Sequence, residues 1–116
     1  MDANNLQFNN GSFDKIIISA ALHEMDKTQR LIVLSEVHRI LKKDGYLLIF
    51  EHHEPFETVH RIFYNFYLGF IEMLTSHSSE MQKSIFFELK TKKFKILSQI
   101  PIKKFFRFFQ IILCKK

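Results

Sequence analysis

Tryptophan is absent from this chain of 116 residues, cysteine occurs once, proline twice and glycine three times. Each shortage removes a class of protein. A single cysteine, Cys114, cannot build an intrachain disulfide framework or a cysteine-rich zinc site, and it suits a reducing compartment, so the expected location is the cytoplasm. The three glycines, Gly11, Gly45 and Gly69, stand too far apart to form a glycine-rich turn of the kind that brings backbone close to a bound cofactor. No repeat, low-complexity tract or Pro/Gly-rich linker divides the chain, so one domain, or part of one, is expected. Long hydrophobic runs are missing too. The longest, Ile62 to Ile71, contains Asn65 and falls far short of a bilayer span, and the first residues lack a basic stretch followed by an apolar core. Neither a membrane span nor a signal peptide is expected, and the protein reads as soluble.

What is present is an apolar fraction of 47% and a net charge of +5. The first is enough for one modest core. The second gives a mild attraction to anionic partners, carried mostly by lysines after position 82, without naming one.

The most ordered signal runs from Gly11 to Glu51. Gly11-Ser12 is a turn, and Phe13 to Ser19, with Ile16-Ile17-Ile18 at its centre, is a short β-branched run of the kind a sheet buries on both faces. Asp26 stands as an N-cap with Gln29 three residues on, which starts a helix at Lys27. Val33, Leu34, Val37, Ile40 and Leu41 recur at helical spacing on one face, with Arg30, Glu36 and Arg39 expected mostly outward. Lys42 and Lys43 suit the negative end of the helix dipole, and Gly45 is expected to supply the left-handed residue that ends the helix. Tyr46 to Phe50, closing with Glu51, is a second apolar strand. Two strands joined by a helix lie parallel with a right-handed crossover, so the fold class is α/β. Only one edge of the first strand has a partner in this chain.

After the loop His52-His53-Glu54-Pro55, residues Phe56, Val59, Phe63, Phe66, Tyr67, Phe70 and Leu74 define an aromatic helical stripe. Thr75 to Ser79 breaks it, and a second helix is expected from Glu80 to about Lys90 with Met81, Ile85 and Leu89 inward. Phe94 to Ile100 alternates as an edge strand ended by Pro101, and Phe105 to Cys114 is a last strand, the two pairing as an antiparallel hairpin.

In order and spacing, Asp2-Ala3-Asn4-Asn5-Leu6-Gln7-Phe8, Ser12 to Ser19, Leu22-His23, Arg30, Glu36, Arg39 to Lys42 and Gly45 to Ile49 resemble the middle of class I S-adenosylmethionine-dependent methyltransferases. The small-molecule branch that includes the ubiquinone/menaquinone-biosynthesis type is the most similar. The resemblance is good over residues 2 to 51 and looser beyond. Gln7 replaces the family's usual proline, Lys43-Asp44 its proline-glycine, and Lys93 the glycine before Phe94. The family's glycine-rich cofactor turn and its ribose-binding acid have no counterpart here. The resemblance therefore implies residues 1–116 as a single unit, the C-terminal half of the domain: a partial Rossmann-like sheet of two parallel strands with a crossover helix and a terminal antiparallel hairpin.

It also implies S-adenosylmethionine as cofactor, a small-molecule methyl acceptor, and site residues. Asp2 and Ala3 match the loop beside the adenine; the plainer reading is a solvated terminus. Ser19 ends the first strand at its carboxyl end, where open α/β sheets bind ligands, although serine there also caps turns. His23, just past that end, is placed to take a proton from the acceptor, or else is a packing residue. Glu51 either faces the cleft or pairs with a surface lysine, and Asp14 is expected to bond turn amides. A zinc-protease reading fails because Lys27 stands where a second histidine is needed, and adjacent His52 and His53 do not converge, so no metal is expected. The aromatic stripe fits a pocket, a core or an interface. Lys103-Lys104-Phe105-Phe106-Arg107 fits nucleic-acid binding or, more plainly, a buried strand flanked by lysines, so nucleic acid is not the expected partner. The alternative to an enzyme is an interaction module that pairs through its open sheet edge, with itself as a homodimer or with a complementing chain.

Overall fold

A computed structural model describes residues 2–52, 66, 78–101 and 109–116. The aromatic stripe, apart from Phe66, and the Lys103 to Phe108 stretch lie outside these residues. Strand β1, Phe13–Ser19, pairs parallel with β2, Leu41–His52, through the crossover helix α1, Lys27–Ile40. Helix α2, Ser78–Thr91, leads to β3, Lys95–Pro101, and β4, Phe109–Lys115, closes the order. The sheet runs β1-β2-β4-β3, with β4 antiparallel to both neighbours. The parallel pair and the hairpin are as expected, and β1 forms the sheet edge among the described residues.

α1 begins as its sequence dictates: Asp26 accepts from the Gln29 amide at 2.8 Å. It ends earlier than Gly45 suggested. Leu41 is already extended and pairs with Phe13, so Lys42 and Lys43 belong to β2, and the last helical turn holds His38 and Arg39. The left-handed residue is Asp44, at φ 63°, whereas Gly45 serves close packing. A Cβ on Gly45 would meet the Lys42 carbonyl oxygen at 2.9 Å and that of Asp14 at 3.1 Å. Among the described residues Asp14 bonds no turn amide and instead faces Lys42 at 3.3 Å. α2 ends in a Schellman motif around Lys93, at φ 66°: the Phe94 amide donates to Leu89 O and the Lys93 amide to Lys90 O, both at 3.0 Å.

The core lies on one face of the sheet. Val33, Leu34 and Val37 from α1 and Met81, Ile85 and Leu89 from α2 close over Leu47, Ile49, Ile112 and Cys114. Burial pushes the Cys114 thiol up to about 12, which leaves it inert as a nucleophile.

The polar residues of α1 correct the expectation that they point outward. Arg30, seven residues before Val37, sits on the apolar stripe itself and is fully buried. Its guanidinium grips the equally buried Glu88 of α2, with Nε 2.9 Å from Oε2 and Nη2 2.8 Å from Oε1. Ser84 Oγ donates to the same carboxylate at 2.9 Å. Glu36 and Arg39 clamp the amino-terminal segment: Glu36 accepts the Leu6 amide at 2.9 Å, while Arg39 donates to the Leu6 and Phe8 carbonyls. Bonding to Arg39, then to the Leu6 amide, lowers the Glu36 carboxyl to about 2.

Three outcomes follow from this packing. Removing one partner of the buried pair, as in Glu88→Leu, is expected to cost about 3–5 kcal/mol in urea unfolding, while the joint Arg30→Met, Glu88→Leu change recovers most of it. Lys93→Gly and Asp44→Gly are each expected to stabilise by roughly 0.5–1 kcal/mol by relieving a left-handed side chain. Because the folded Glu36 holds its proton less tightly than the unfolded one, the clamp is fully present above the ordinary glutamate value of 4.5 and is lost as pH falls toward about 2. Glu36→Gln should remove that acid limb from a stability profile.

Candidate active site

The carboxyl ends of β1 and β2 come together in one small constellation. β1 ends at Ser19, which is exposed and in register with Phe50. The Ala20 amide donates to Phe50 O at 2.9 Å, and Ala20 then turns the chain at φ 48°. A left-handed alanine is a strained backbone held by its surroundings, and such positions gather at functional sites. One 3₁₀ turn follows, Leu22–Glu24, with Leu22 fully buried. Its exit is fixed from below, because Arg30 Nη1 donates to the Met25 carbonyl at 2.6 Å.

Into this turn β2 delivers Glu51, which is 0% exposed. A buried carboxylate needs partners. Oε2 accepts the Leu22 amide at 2.9 Å, and Oε1 lies 2.7 Å from His23 Nδ1. A carboxylate only accepts, so an ionised Glu51 places the ring proton on Nδ1 and the lone pair on Nε2. The His23 side chain is 12% exposed, and its Nε2 stands 3.9 Å from Glu24 Oε1, beyond hydrogen-bonding range. The arrangement is that of an oriented imidazole, with the carboxylate fixing the ring through Nδ1.

Ser19 and His23 therefore share one strand end. Asp2 does not join them through its side chain, since its Oδ1 accepts from both the amide and the Nδ2 of Asn4 at 2.9 Å. With Asn5 N bonded to Asp2 O at 3.1 Å, residues 2 to 5 form a turn rather than a frayed terminus, and Ala3 packs half-buried on the core. The segment runs from Gly11, bonded to Arg39 O, back to Leu6, bonded to Glu36, and so along α1 toward the end where β1 stops. Glu51 is the residue whose role sequence reasoning left undecided; its signal was its place at the carboxyl end of a buried strand. Among the described residues no group of three His, Cys, Asp or Glu side chains can hold a metal ion. No described helix is long and apolar enough to cross a membrane.

If Glu51 sets the tautomer, nitrogen NMR of the histidines should find His23 protonated on Nδ1 in the native chain. Glu51→Leu should shift it toward the mixture seen in free imidazole, and an unchanged spectrum would sink the assignment.

Residues 1–49 match the family described as a methyltransferase domain. Among curated proteins, an uncharacterized methyltransferase of Synechocystis sp. is 42% identical over 53 residues, which is 46% of this chain and 25% of that protein. The ubiquinone/menaquinone biosynthesis C-methyltransferase UbiE of Citrifermentans bemidjiense is 37% identical over 62 residues, 53% of this chain and 26% of its own length. The chain thus spans about a quarter of the curated relatives it matches. A solved S-adenosylmethionine-dependent methyltransferase from Methanosarcina mazei superposes over 100% of this chain and 65% of its own, with TM-score 0.67 and 21% identity, a likeness of fold. Over residues 1–49 the sequence matches a methyltransferase domain, and the chain as a whole shares the fold of a solved S-adenosylmethionine-dependent methyltransferase.

Proposed function

We propose that this chain supplies the later half of a class I methyltransferase domain, which moves a methyl group from S-adenosylmethionine to a small-molecule acceptor. The observation that carries this reading is the His23–Glu51 pair, held at the carboxyl ends of two parallel strands. The residues present fit one side of the cofactor only. Ser19 is exposed at the strand end, and the turn at Asp2 and Ala3 is directed toward the same end. Among the described residues no pair of neighbouring glycines and no acid ending an earlier strand supports the opposite side. That side is assigned to a first half pairing with the edge of β1, located upstream on the same polypeptide or on another chain.

When bound, the cofactor brings a methyl group activated by a sulfonium, and the displacement depends chiefly on alignment. This chain contributes alignment and a proton acceptor. Ser19 and the backbone of the β1 exit, with Asp2 and Ala3, line the cofactor. His23 Nε2 accepts the proton of an oxygen or nitrogen nucleophile as the methyl arrives. Glu51, charged and desolvated beneath the ring, stabilises the imidazolium that results. The Leu22 amide keeps that carboxylate in place.

A second reading rests on the exposed edge of β1, where Ile17 is 68% exposed. It is a homodimer joined strand to strand, without catalysis.

Calorimetry with S-adenosylhomocysteine separates the two. The 116-residue chain alone is expected to show no saturable binding, and a fusion carrying the first half of the Synechocystis relative ahead of it is expected to bind. In that fusion His23→Ala should lower methyl transfer by ~10²-fold with binding retained. A fusion that folds yet does not bind would overturn the enzyme reading. Light scattering that finds a dimer, dispersed by Ile17→Lys, would favour the second.

A further inference from the structure

Lysines that stand far apart in the sequence are gathered by the fold at the end of the sheet opposite the candidate active site. β2 opens with Lys42 and Lys43, both exposed, in an irregular stretch where its pairing with β1 skips from Leu41 to Tyr46. β4 runs antiparallel to β2, so Lys115 finishes beside Tyr46, and the Lys116 amide donates to Gly45 O at 2.9 Å. β3 starts at the same level, with Lys95 opposite Lys115, and the turn that feeds it from α2 carries Lys92 and Lys93. Two carboxylates lie among them, Asp14 at 3.3 Å from Lys42 and Asp44 at 3.5 Å from Lys115. Among the described residues Lys43, Lys92, Lys93 and Lys95 have no acidic partner. The chain leaves the described residues after His52 and after Pro101, at the far ends of β2 and β3, so the segments that carry these lysines are described throughout.

Concentrating charge here has a local cost. Lys95 and Lys115 are direct cross-strand neighbours, a like-charge pairing that is unfavourable by itself. Lys93 holds φ 66°, a conformation glycine adopts without strain. Burial, then the ammonium groups of Lys116 and Lys93, hold the His38 imidazole below its ordinary value, so the field of the cluster reaches the last turn of α1. Both helices end at this level, and the carbonyls of each last turn offset only about half a charge.

We propose that this end of the sheet binds the phosphate backbone of a nucleic acid. The inference is independent of the methyl-transfer reading, because about 20 Å of strand separates the cluster from Ser19 and His23. The surroundings of the lysines decide among anionic partners. In residues 42–45, 90–95 and 115–116 every exposed residue is polar. An interface with a protein centres on aromatic or apolar anchors and is poor in lysine. Stable attachment of a basic patch to an anionic bilayer needs an acyl chain or apolar side chains inserted beside it. A phosphate backbone needs neither, since the release of its counterions supplies the affinity. The Lys103 to Arg107 stretch takes no part: the cluster is assembled by strand order from residues that no single stretch of sequence brings together.

The test is fluorescence anisotropy with the full 116-residue chain and two labelled probes, a single-stranded RNA and a DNA duplex. At least one probe is expected to bind at low salt, with log K falling by about 3 for each tenfold rise in salt, or ~0.7–0.9 for each of the four lysines without an acidic partner. The triple variant Lys43→Gln, Lys92→Gln, Lys95→Gln should cut that slope to about 1 with its thermal melt unchanged. Bound phosphate should also raise the pH at which the His38 resonances titrate in the native chain. A second triple variant, Lys103→Gln, Lys104→Gln, Arg107→Gln, should bind as the native chain does. Absence of binding to both probes, an unchanged slope in the first variant, or loss of binding in the second would each overturn the proposal. Tighter binding of polyglutamate or of phosphatidylserine vesicles than of either probe would overturn it too, and would give this end to an acidic protein or to a membrane.

Discussion

A guanidinium and a carboxylate withdrawn completely from water hold this fold together at its most expensive point. Arg30 and Glu88 are 58 residues apart in the chain and join α1 to α2. Taking both charges out of water costs more than simple attraction returns unless every donor is used. Here the donors are widely used: Glu88 takes two guanidinium nitrogens and a serine hydroxyl, and Met25 O takes a third nitrogen. An apolar pair of the same volume could match the stability, but it would leave the Met25 carbonyl without its donor. That carbonyl ends the turn carrying His23. The ion pair therefore does more than pack two helices. It ties the position of the candidate base to the helical layer beneath it.

Why this pair was invisible in the sequence is instructive. Residue type placed Arg30 outside, although its spacing of three, four and seven from Val33, Leu34 and Val37 put it on the buried stripe. Periodicity gave the right face and the chemical class gave the wrong one, because the partner that makes burial possible comes so much later in the chain. The Asp26 cap, the parallel pair and the hairpin were legible because each depends on neighbours in sequence or on a single topological rule. The end of α1 was not. Glycine at position 45 suggested a helix stop, yet pairing of Leu41 with Phe13 captured the backbone first, and Asp44 took the left-handed turn.

The left-handed residues also explain where this chain departs from the family it resembles. Asp44 and Lys93 stand where the resemblance expects glycine, and both have positive φ. The backbone has kept the conformation that glycine favours and carries a side chain there at a cost in strain. The departures are therefore charges against stability, with the turn geometry intact. Ala20 is different: its positive φ lies directly between Ser19 and the His23 turn, where the strain redirects the chain over the carboxyl end of β1.

The candidate site in turn depends on one alignment. Ser19 opposite Phe50 puts Glu51 on the helix-covered face, within reach of Leu22 and His23. Side chains alternate along a strand, so a slip of one residue between β1 and β2 would send Glu51 to the bare face and Phe50 into the core. Two contacts oppose the slip at opposite ends of the pair. Ala20 N bonds Phe50 O at the carboxyl end, and at the other the backbone of Gly45 passes close to Asp14 O, where a Cβ would make a tight contact at 3.1 Å. A glycine far from the chemistry and a strained alanine beside it thus act on the same quantity, the register that brings a carboxylate to a histidine.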